Sequence, residues 1–380
     1  MKTITIGIAG AGRAFRLHAD ALKYVHGITV NKKTVMDTNI AQAEAMQRQY
    51  GFEKASSDFE ELIGDPEIDV IHIVTPPYTH EEMTVRALEA GKNVICEKPF
   101  VGYFEEAPKS LMYEEVLKKL GRIRNVSERT GKKVFYAENV VYAPAVRRAA
   151  DFIAAKKSRI LFMKGEESLK GSSSPVAGYW SKTGGGTFSR NGVHPVSMML
   201  WLKNIEAAAR GVEIRPVSVL ADMEMISPDL SEYEHRHIDA RPADTEDIGT
   251  AIIKFSDNSR GVVMATNIYL GGFKDYVEVY CNDASYYCKT SQSDTLRTYF
   301  LDEDGIEDMR LSELCDSKTG WNNADCADDL LRGYIGEMQD FMECVATGRE
   351  PLSGIDLAEQ ATKIIYAAYL SAESGKAVKL

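Results

Sequence analysis

No apolar run in the sequence is long enough to cross a bilayer, so a helical membrane protein is not the expectation. The start, Met1-Lys2-Thr3-Ile4-Thr5-Ile6-Gly7, has too short an apolar stretch and too early a glycine for a secretory signal. Cysteine is scarce. The six present (Cys96, Cys281, Cys288, Cys315, Cys326 and Cys344) have no metal-ligand spacing, which implies free thiols, a reducing cytoplasm and no metal site. Excess positive charge is lacking too: the formal net charge of −11 argues against a nucleic-acid partner and for plain solubility. Neither an internal repeat nor a low-complexity segment is present. What remains is the composition of a soluble globular protein, with 380 residues, enough for two domains and a large core.

The first half alternates strand and helix patterns. Thr3 to Ala9 reads as a strand that runs into Gly10-Ala11-Gly12-Arg13-Ala14-Phe15 and then a helix with Leu17, Ala21 and Leu22 on one side. A strand, a glycine turn and a helix set a pyrophosphate on a helix N-terminus. Gly10 makes the tight turn and Gly12 lets the backbone approach, while the third glycine of the full fingerprint is replaced by Phe15. A second strand, Lys33 to Met36, ends at Asp37, about 25 residues after the glycines, near the distance of a ribose-binding acid. A carboxylate there repels a 2′-phosphate, and Thr38 and Asn39 supply no arginine to receive one, so the expected cofactor is NAD rather than NADP. The alternative is that Asp37 caps the helix Ile40 to Tyr50.

Ser57 to Ile63 reads as a short helix with Ser57 and Glu60 as a capping box. Asp69 to Val74 is a continuous apolar strand, with His72 packed or paired inside it. It ends at Thr75-Pro76-Pro77-Tyr78-Thr79-His80, where two prolines fix a loop at the carboxyl edge of the sheet. After the helix Glu81 to Ala90 comes Asn93-Val94-Ile95-Cys96-Glu97-Lys98-Pro99. Pro99 cannot continue a ladder, so Glu97 and Lys98 fall at a strand's carboxyl end, where open α/β sheets bind ligands.

With Gly10-Ala11-Gly12, Asp37, Thr75-Pro76 with His80, and Glu97-Lys98-Pro99 in place, the chain resembles the Gfo/Idh/MocA oxidoreductases over nearly its whole length. That resemblance implies a doubly wound Rossmann domain over residues 1–140. It also implies an α+β domain over residues 141–380 with a large, mainly antiparallel open sheet that commonly makes subunit contacts. It implies hydride transfer between a sugar or polyol carbinol carbon and a nicotinamide, with Lys98 hydrogen-bonded to the reacting oxygen. Glu97, Thr75, Pro76, Pro77 and His80 are then expected near the nicotinamide.

In the second half, Asn139 and Tyr142, before Pro144, either reach the cleft or hold the joint between domains. Strand patterns recur from Arg159 to Leu301, and a sheet face bearing Val263, Ala265, Tyr269, Val277 and Val279 suits a dimer or tetramer. Gly184-Gly185-Gly186 permits close backbone approach to a ligand. The resemblance then predicts an aspartate followed four residues later by a histidine. His194 is present, but Arg190 stands at the aspartate's position. His194 remains usable as a base, against the alternative of a capping or buried histidine. Arg190 cannot act as one; it binds a substrate carboxylate or phosphate, or pairs internally with an acid such as Glu138. The stretch Glu232 to His237 holds two histidines around an arginine, with no cysteine nearby, and reads as a solvated loop.

Three functions follow in order: an NAD-dependent dehydrogenase of a sugar, sugar acid or polyol; a glycoside 3-oxidase or NAD-assisted glycoside-cleaving enzyme that recycles its cofactor; and a non-catalytic NAD-binding regulator. The first requires Lys98 and His194 to converge over one nicotinamide ring.

Overall fold

Every residue from Ile4 to Ala9 along the first strand is buried, as in a strand covered on both faces. The computed structural model describes residues 2–105, 109–172, 174, 176–291, 296–304, 307–308, 317–324 and 328–380. It separates into two units: Met1–Tyr142 with Ser181–Gly184 and Gly333–Tyr366, and Ala143–Trp180 with Gly185–Arg332 and Ala367–Leu380.

In the first unit the chain runs β1 (Lys2–Ala9), α1 (Arg13–Ala21), β2 (Ile28–Met36), α2 (Ile40–Tyr50), β3 (Lys54–Ser56), α3 (Phe59–Gly64), β4 (Val70–Ile73), α4 (His80–Glu89), β5 (Asn93–Glu97), α5 (Met112–Thr130) and β6 (Val134–Ala137). All pairs are parallel and the order is β3-β2-β1-β4-β5-β6. The order reverses between β1 and β4, the point where such sheets bind ligands at their carboxyl ends. The N-cap of α3 is Asp58, which accepts from Glu60 N at 2.9 Å, and not Ser57.

Past Tyr142 the chain runs α6 (Pro144–Lys156), β7 (Ile160–Ser168), α7 (Trp180–Thr183), α8 (Thr187–Arg190), α9 (Val193–Arg210), β8 (Pro216–Glu224), α10 (Glu232–His235), β9 (Ile248–Phe255), β10 (Arg260–Thr266), β11 (Lys274–Cys281), β12 (Ser285–Lys289), β13 (Leu296–Phe300), β14 (Gly320–Ala324) and α11 (Asp328–Leu331), all in the second unit but for α7 beyond Trp180. Three elements follow: α12 (Tyr334–Thr347), α13 (Ile355–Ser374) and β15 (Val378–Lys379). The seven-stranded sheet has the order β12-β11-β7-β10-β9-β8-β15. Every pair in it is antiparallel except β7 with β10.

Two differences from the sequence reading have physical causes. Residues 333–366 join the first unit, because α12 lays Met338, Phe341 and Met342 into a core it shares with α1 and β1; a single crossing at residue 140 does not describe the packing. Val263, Ala265, Val277 and Val279 are fully buried on the sheet face under α9. The outward face instead carries Phe162, Leu220, Ile252, Val262, Met264 and Tyr280.

Cys96, Cys281, Cys288 and Cys344 are free thiols, and Cys315 and Cys326 lie outside the described residues. Among the described residues no helix is long and apolar enough to cross a membrane, and no group of three or more His, Cys, Asp or Glu is arranged to hold a metal. Ser231 and Glu234 form a capping box that turns part of the expected 232–237 loop into α10.

Candidate active site

Gly10 has φ +100°, and a Cβ there would lie 2.7 Å from Val74 O, so only glycine fits the turn. Its N–H donates to Met36 O at 2.7 Å. Asp37 Oδ2 accepts from Ala11 N at 2.8 Å and Oδ1 from Asn39 N at 2.9 Å, which ties the end of β2 to the glycine turn. The N-cap of α1 is Gly12, with no side-chain cap, and a Cβ there would meet nothing within 4 Å. The first N–H groups of α1 therefore face a cradle of open space, which fits a pyrophosphate. Arg13 and Ala14 open α1 at that cradle. Phe15, fully buried, turns away into the core, with its ring centroid 5.2 Å from that of Tyr50 and 5.8 Å from that of Phe52. Phenylalanine at the third glycine's position thus leaves the turn unfilled.

The loops after β4 and β5 are stitched together by His80. Its Nδ1 is 2.9 Å from Pro99 O and its Nε2 is 2.9 Å from Thr75 O. The ring is buried, which pushes its pKa down. A neutral ring donates to only one of these two carbonyls, and with both nitrogens against backbone oxygens His80 shapes the rim. Thr75 Oγ1 lies 2.6 Å from Thr79 Oγ1, Pro76 is extended, and Pro77 opens a 3-10 turn through Thr79.

Lys98 is half-buried one residue past β5, and its bond to Pro99 is cis. Beneath it lies a buried polar chain. Glu97 Oε2 accepts from Lys98 N at 2.9 Å, Glu97 Oε1 is 3.2 Å from His18 Nε2, and His18 Nδ1 is 3.1 Å from His72 Nδ1. Burial raises the Glu97 carboxyl, but His18 and Lys98 hold it below its ordinary value. Burial, aided by His18, pushes His72 well down. On α12, Glu337 is fully buried, and neither carboxylate oxygen has a hydrogen-bond partner among the described residues.

Asn139 and Tyr142 occupy a buried 3-10 turn, Asn139–Tyr142. Tyr142 donates to Asp340 Oδ2 at 2.8 Å and accepts from Ser353 N at 3.1 Å. Its phenol is engaged inside the first unit, which fits the structural one of the two roles open to Tyr142.

In the second unit the glycine segment approaches protein and not ligand. Gly185 has φ +146°, and a Cβ on it would fall 2.3 Å from Tyr369 Oη; one on Gly186 would fall 2.1 Å from Glu246 O. The Glu246 carboxylate accepts from Gly186 N at 2.9 Å, Phe188 N at 2.8 Å and Tyr369 Oη at 2.8 Å. This lattice fixes α8 and the entry to α9. Pro195 sits in the first turn of α9, where it is tolerated. Arg190 donates to Ala177 O at 3.4 Å and lines a water-sized hollow with Thr245, Glu246 and Asn267. His194 is buried, and its Nε2 lies 3.6 Å from Oε2 of Glu167, near the end of β7.

Lys98 thus belongs to the first unit and His194 to the second. Sequence reasoning missed His18, Glu167, Glu246 and Glu337. The adjacent Glu166 and Glu167 in one strand were the one readable signal: period-two alternation turns one of the two acids to the face under α9.

Comparison with known proteins identifies the family and the fold. A family model described as "Oxidoreductase family, NAD-binding Rossmann fold" matches residues 4–122, and its companion, "C-terminal alpha/beta domain", matches residues 168–380. The chain is 26% identical to levoglucosan dehydrogenase of Pseudarthrobacter phenanthrenivorans, over 80% of this chain and 78% of that one. It is 27% identical to scyllo-inositol 2-dehydrogenase (NAD(+)) of Bacillus subtilis, over 92% of this chain and 88% of that one. The solved structure of GenD2 from gentamicin A biosynthesis, in complex with NAD, shares the fold with a TM-score of 0.83 at 20% identity, covering 100% of this chain and 97% of that one.

Proposed function

Because this chain belongs to the Gfo/Idh/MocA oxidoreductase family, we propose that it is a dehydrogenase that uses NAD to oxidise or reduce the CH–OH carbon of a sugar, sugar acid or polyol. The activities named for its relatives support the substrate class. The observation that carries the reading is Lys98. It leaves β5 at the carboxyl edge of the sheet, two strands from an open glycine cradle. Asp37, followed by no arginine, supports NAD over NADP.

A bound nicotinamide supplies the hydride chemistry. Lys98 hydrogen-bonds the reacting oxygen and steadies the charge that develops there. His194 exchanges the hydroxyl proton, directly or through Lys98. Glu97 holds the Lys98 backbone, while Thr75, Pro76 and Pro77 border the nicotinamide side. Arg190 binds an anionic substituent of the substrate, and Asn139 contributes a polar contact. A second copy of the chain covers the outward face of the large sheet.

The test is a panel of sugars, sugar acids, polyols and glycosides assayed with NAD and NADP by nicotinamide absorbance. Lys98→Ala and His194→Ala should each lower kcat about 100-fold or more with NAD affinity retained. Product formed without net absorbance change points to the recycled-cofactor enzyme. No turnover on any substrate, with a biological effect that survives Lys98→Ala, points to the regulator. Arg190→Ala should impair acidic sugars more than neutral ones; equal losses would remove the anion role.

A further inference from the structure

We propose that Glu167 is the positioning residue of His194, supplying from β7 the carboxylate that Arg190 displaced from the turn before α9. The inference rests on the reading of His194 as the group that exchanges the substrate proton.

The geometry begins with strand alternation. Along β7, Met163, Gly165 and Glu167 point to the sheet face under α9, while Lys164 and Glu166 point outward. The outward Glu166 is occupied there, 2.7 Å from Lys274 Nζ and 3.2 Å from the Tyr276 hydroxyl. Glu167 has no solvent to turn to. It is 3% exposed, on a face it shares with Val263, Ala265, Val277, Val279 and the equally buried Asp275, and a carboxylate in such a place requires compensation. The helix sits close at this end of the strand: a Cβ on Gly165 would lie 2.7 Å from Pro195 Cβ, in the residue after His194. One residue pair further along, Glu167 Oε2 and His194 Nε2 are 3.6 Å apart, both side chains almost fully buried.

One other charged group stands beside this pair on the sheet: Asp275 on β11 is the direct cross-strand neighbour of Glu167, and its carboxylate is engaged by the Thr290 hydroxyl. Arg190, four residues before His194 and at the end of α8, donates to Ala177 O at 3.4 Å. At 3.6 Å, longer than a hydrogen bond, the carboxylate acts on the ring through its charge, which favours the tautomer with its hydrogen on Nε2. On the proposed reading of His194, Nδ1 would be the nitrogen that takes the substrate hydroxyl's proton in the oxidative direction, a bound nicotinamide supplying the hydride chemistry. Glu167 takes neither; it fixes which nitrogen receives the proton and stabilises the imidazolium that results.

The experiment uses the full chain with 15N-labelled histidine, His194 being assigned by difference from His194→Gln. In the wild type the nitrogen shifts should report an Nε2–H tautomer. In Glu167→Gln the tautomer preference should weaken and the titration midpoint of His194 should fall by about one pH unit or more. Kinetically, Glu167→Gln should lower kcat about 10- to 100-fold with KM within about twofold. The acid limb of the kcat profile should move to lower pH, and Glu167→Asp should recover part of the loss. An unchanged tautomer and midpoint in a Glu167→Gln protein that melts like the wild type overturns the proposal. Full activity in His194→Ala instead overturns the reading it rests on, whatever the nitrogen shifts show.

Discussion

The imidazole of His18 and the carboxylate of Glu97 form a buried pair, Nε2 to Oε1 at 3.2 Å, directly beneath the lysine that ends β5. Replacing His18 by Leu leaves that carboxylate buried beside an apolar group, and the expected cost is about 2–4 kcal/mol at neutral pH. The sign of the pH dependence follows from the folded pKa of Glu97, which lies below its ordinary 4.5. Its contribution is complete above about 4.5 and is lost as pH falls through the depressed folded value. Urea unfolding should therefore show the gap between wild type and His18→Leu narrowing below pH 4.5; a gap that widens there assigns the effect to packing.

Glu337 predicts the opposite slope. Burial, reinforced by Glu97, Glu138 and Asp340, holds its carboxyl well above the ordinary 4.5. A raised folded value favours the native state below 4.5 and loses that contribution as pH rises toward the folded pKa. Glu337→Gln removes the group that must ionise or stay protonated. It should raise Tm at pH 8 relative to wild type and leave Tm at pH 4.5 almost unchanged. Thermal melts across that range decide it, and a variant destabilised equally at both ends would show that Glu337 has a partner that the burial argument omits.

Two glycines of one turn should behave differently on substitution. Gly10→Ala forces a side chain into a left-handed φ with Val74 O only 2.7 Å away, at about 1–3 kcal/mol of strain, so both Tm and NAD binding should fall. Gly12→Ala meets open space at an ordinary φ of −83°. Its Tm should stay within about 2 °C of wild type while NAD affinity drops about tenfold or more, because the methyl occupies the phosphate cradle. Differential scanning fluorimetry with and without NAD separates the two; equal behaviour would mean that the cradle is not where the cofactor sits.

The same contrast marks how much of the site the sequence could reveal. The glycine turn, Asp37 and Lys98 were readable because each follows from a local rule: strand end, turn geometry, helix N-terminus. So was the alternation that builds the parallel sheet. The roles of Gly185 and Gly186 were misread as ligand approach, because Glu246 and Tyr369, which press against them, are 60 and 183 residues away from Gly186 along the chain. Glu167 escaped notice for the same reason. A sequence shows the acid missing at position 190, but the strand that brings another acid to His194 becomes neighbouring only through the β7, β10 and β11 pairings.

Tyr142 has two possible roles, a substrate contact and a structural tie, and one substitution separates them. Tyr142→Phe removes the hydroxyl that bridges Asp340 and Ser353 N and keeps the ring that packs edge-on to Phe341. Stability should fall by about 1–3 kcal/mol while KM for the substrate stays within about twofold. A large rise in KM with unchanged stability would return Tyr142 to the substrate.

The outward face of the large sheet carries the last prediction. Leu220, Ile252 and Val262 stand side by side across β8, β9 and β10, and Leu220 and Ile252 are 45% and 42% exposed. On the next row Phe162 and Tyr280 are cross-strand partners with stacked rings 5.8 Å apart, 36% and 41% exposed. Lys164, Lys254, Arg260 and Glu278 stand among these residues on the same face, and a second copy laid across such a mixed surface satisfies a two-fold interface in which the same strands meet. Wild-type protein should therefore sediment as a dimer or a higher even-numbered species at micromolar concentration. Ile252→Lys with Leu220→Glu sets charge on each copy in the centre of that face and should yield monomers with an unchanged circular dichroism spectrum. Wild-type protein that remains monomeric at every concentration tested would remove the second copy as the occupant of the face, and an oligomer indifferent to the double substitution would move the interface elsewhere on the chain.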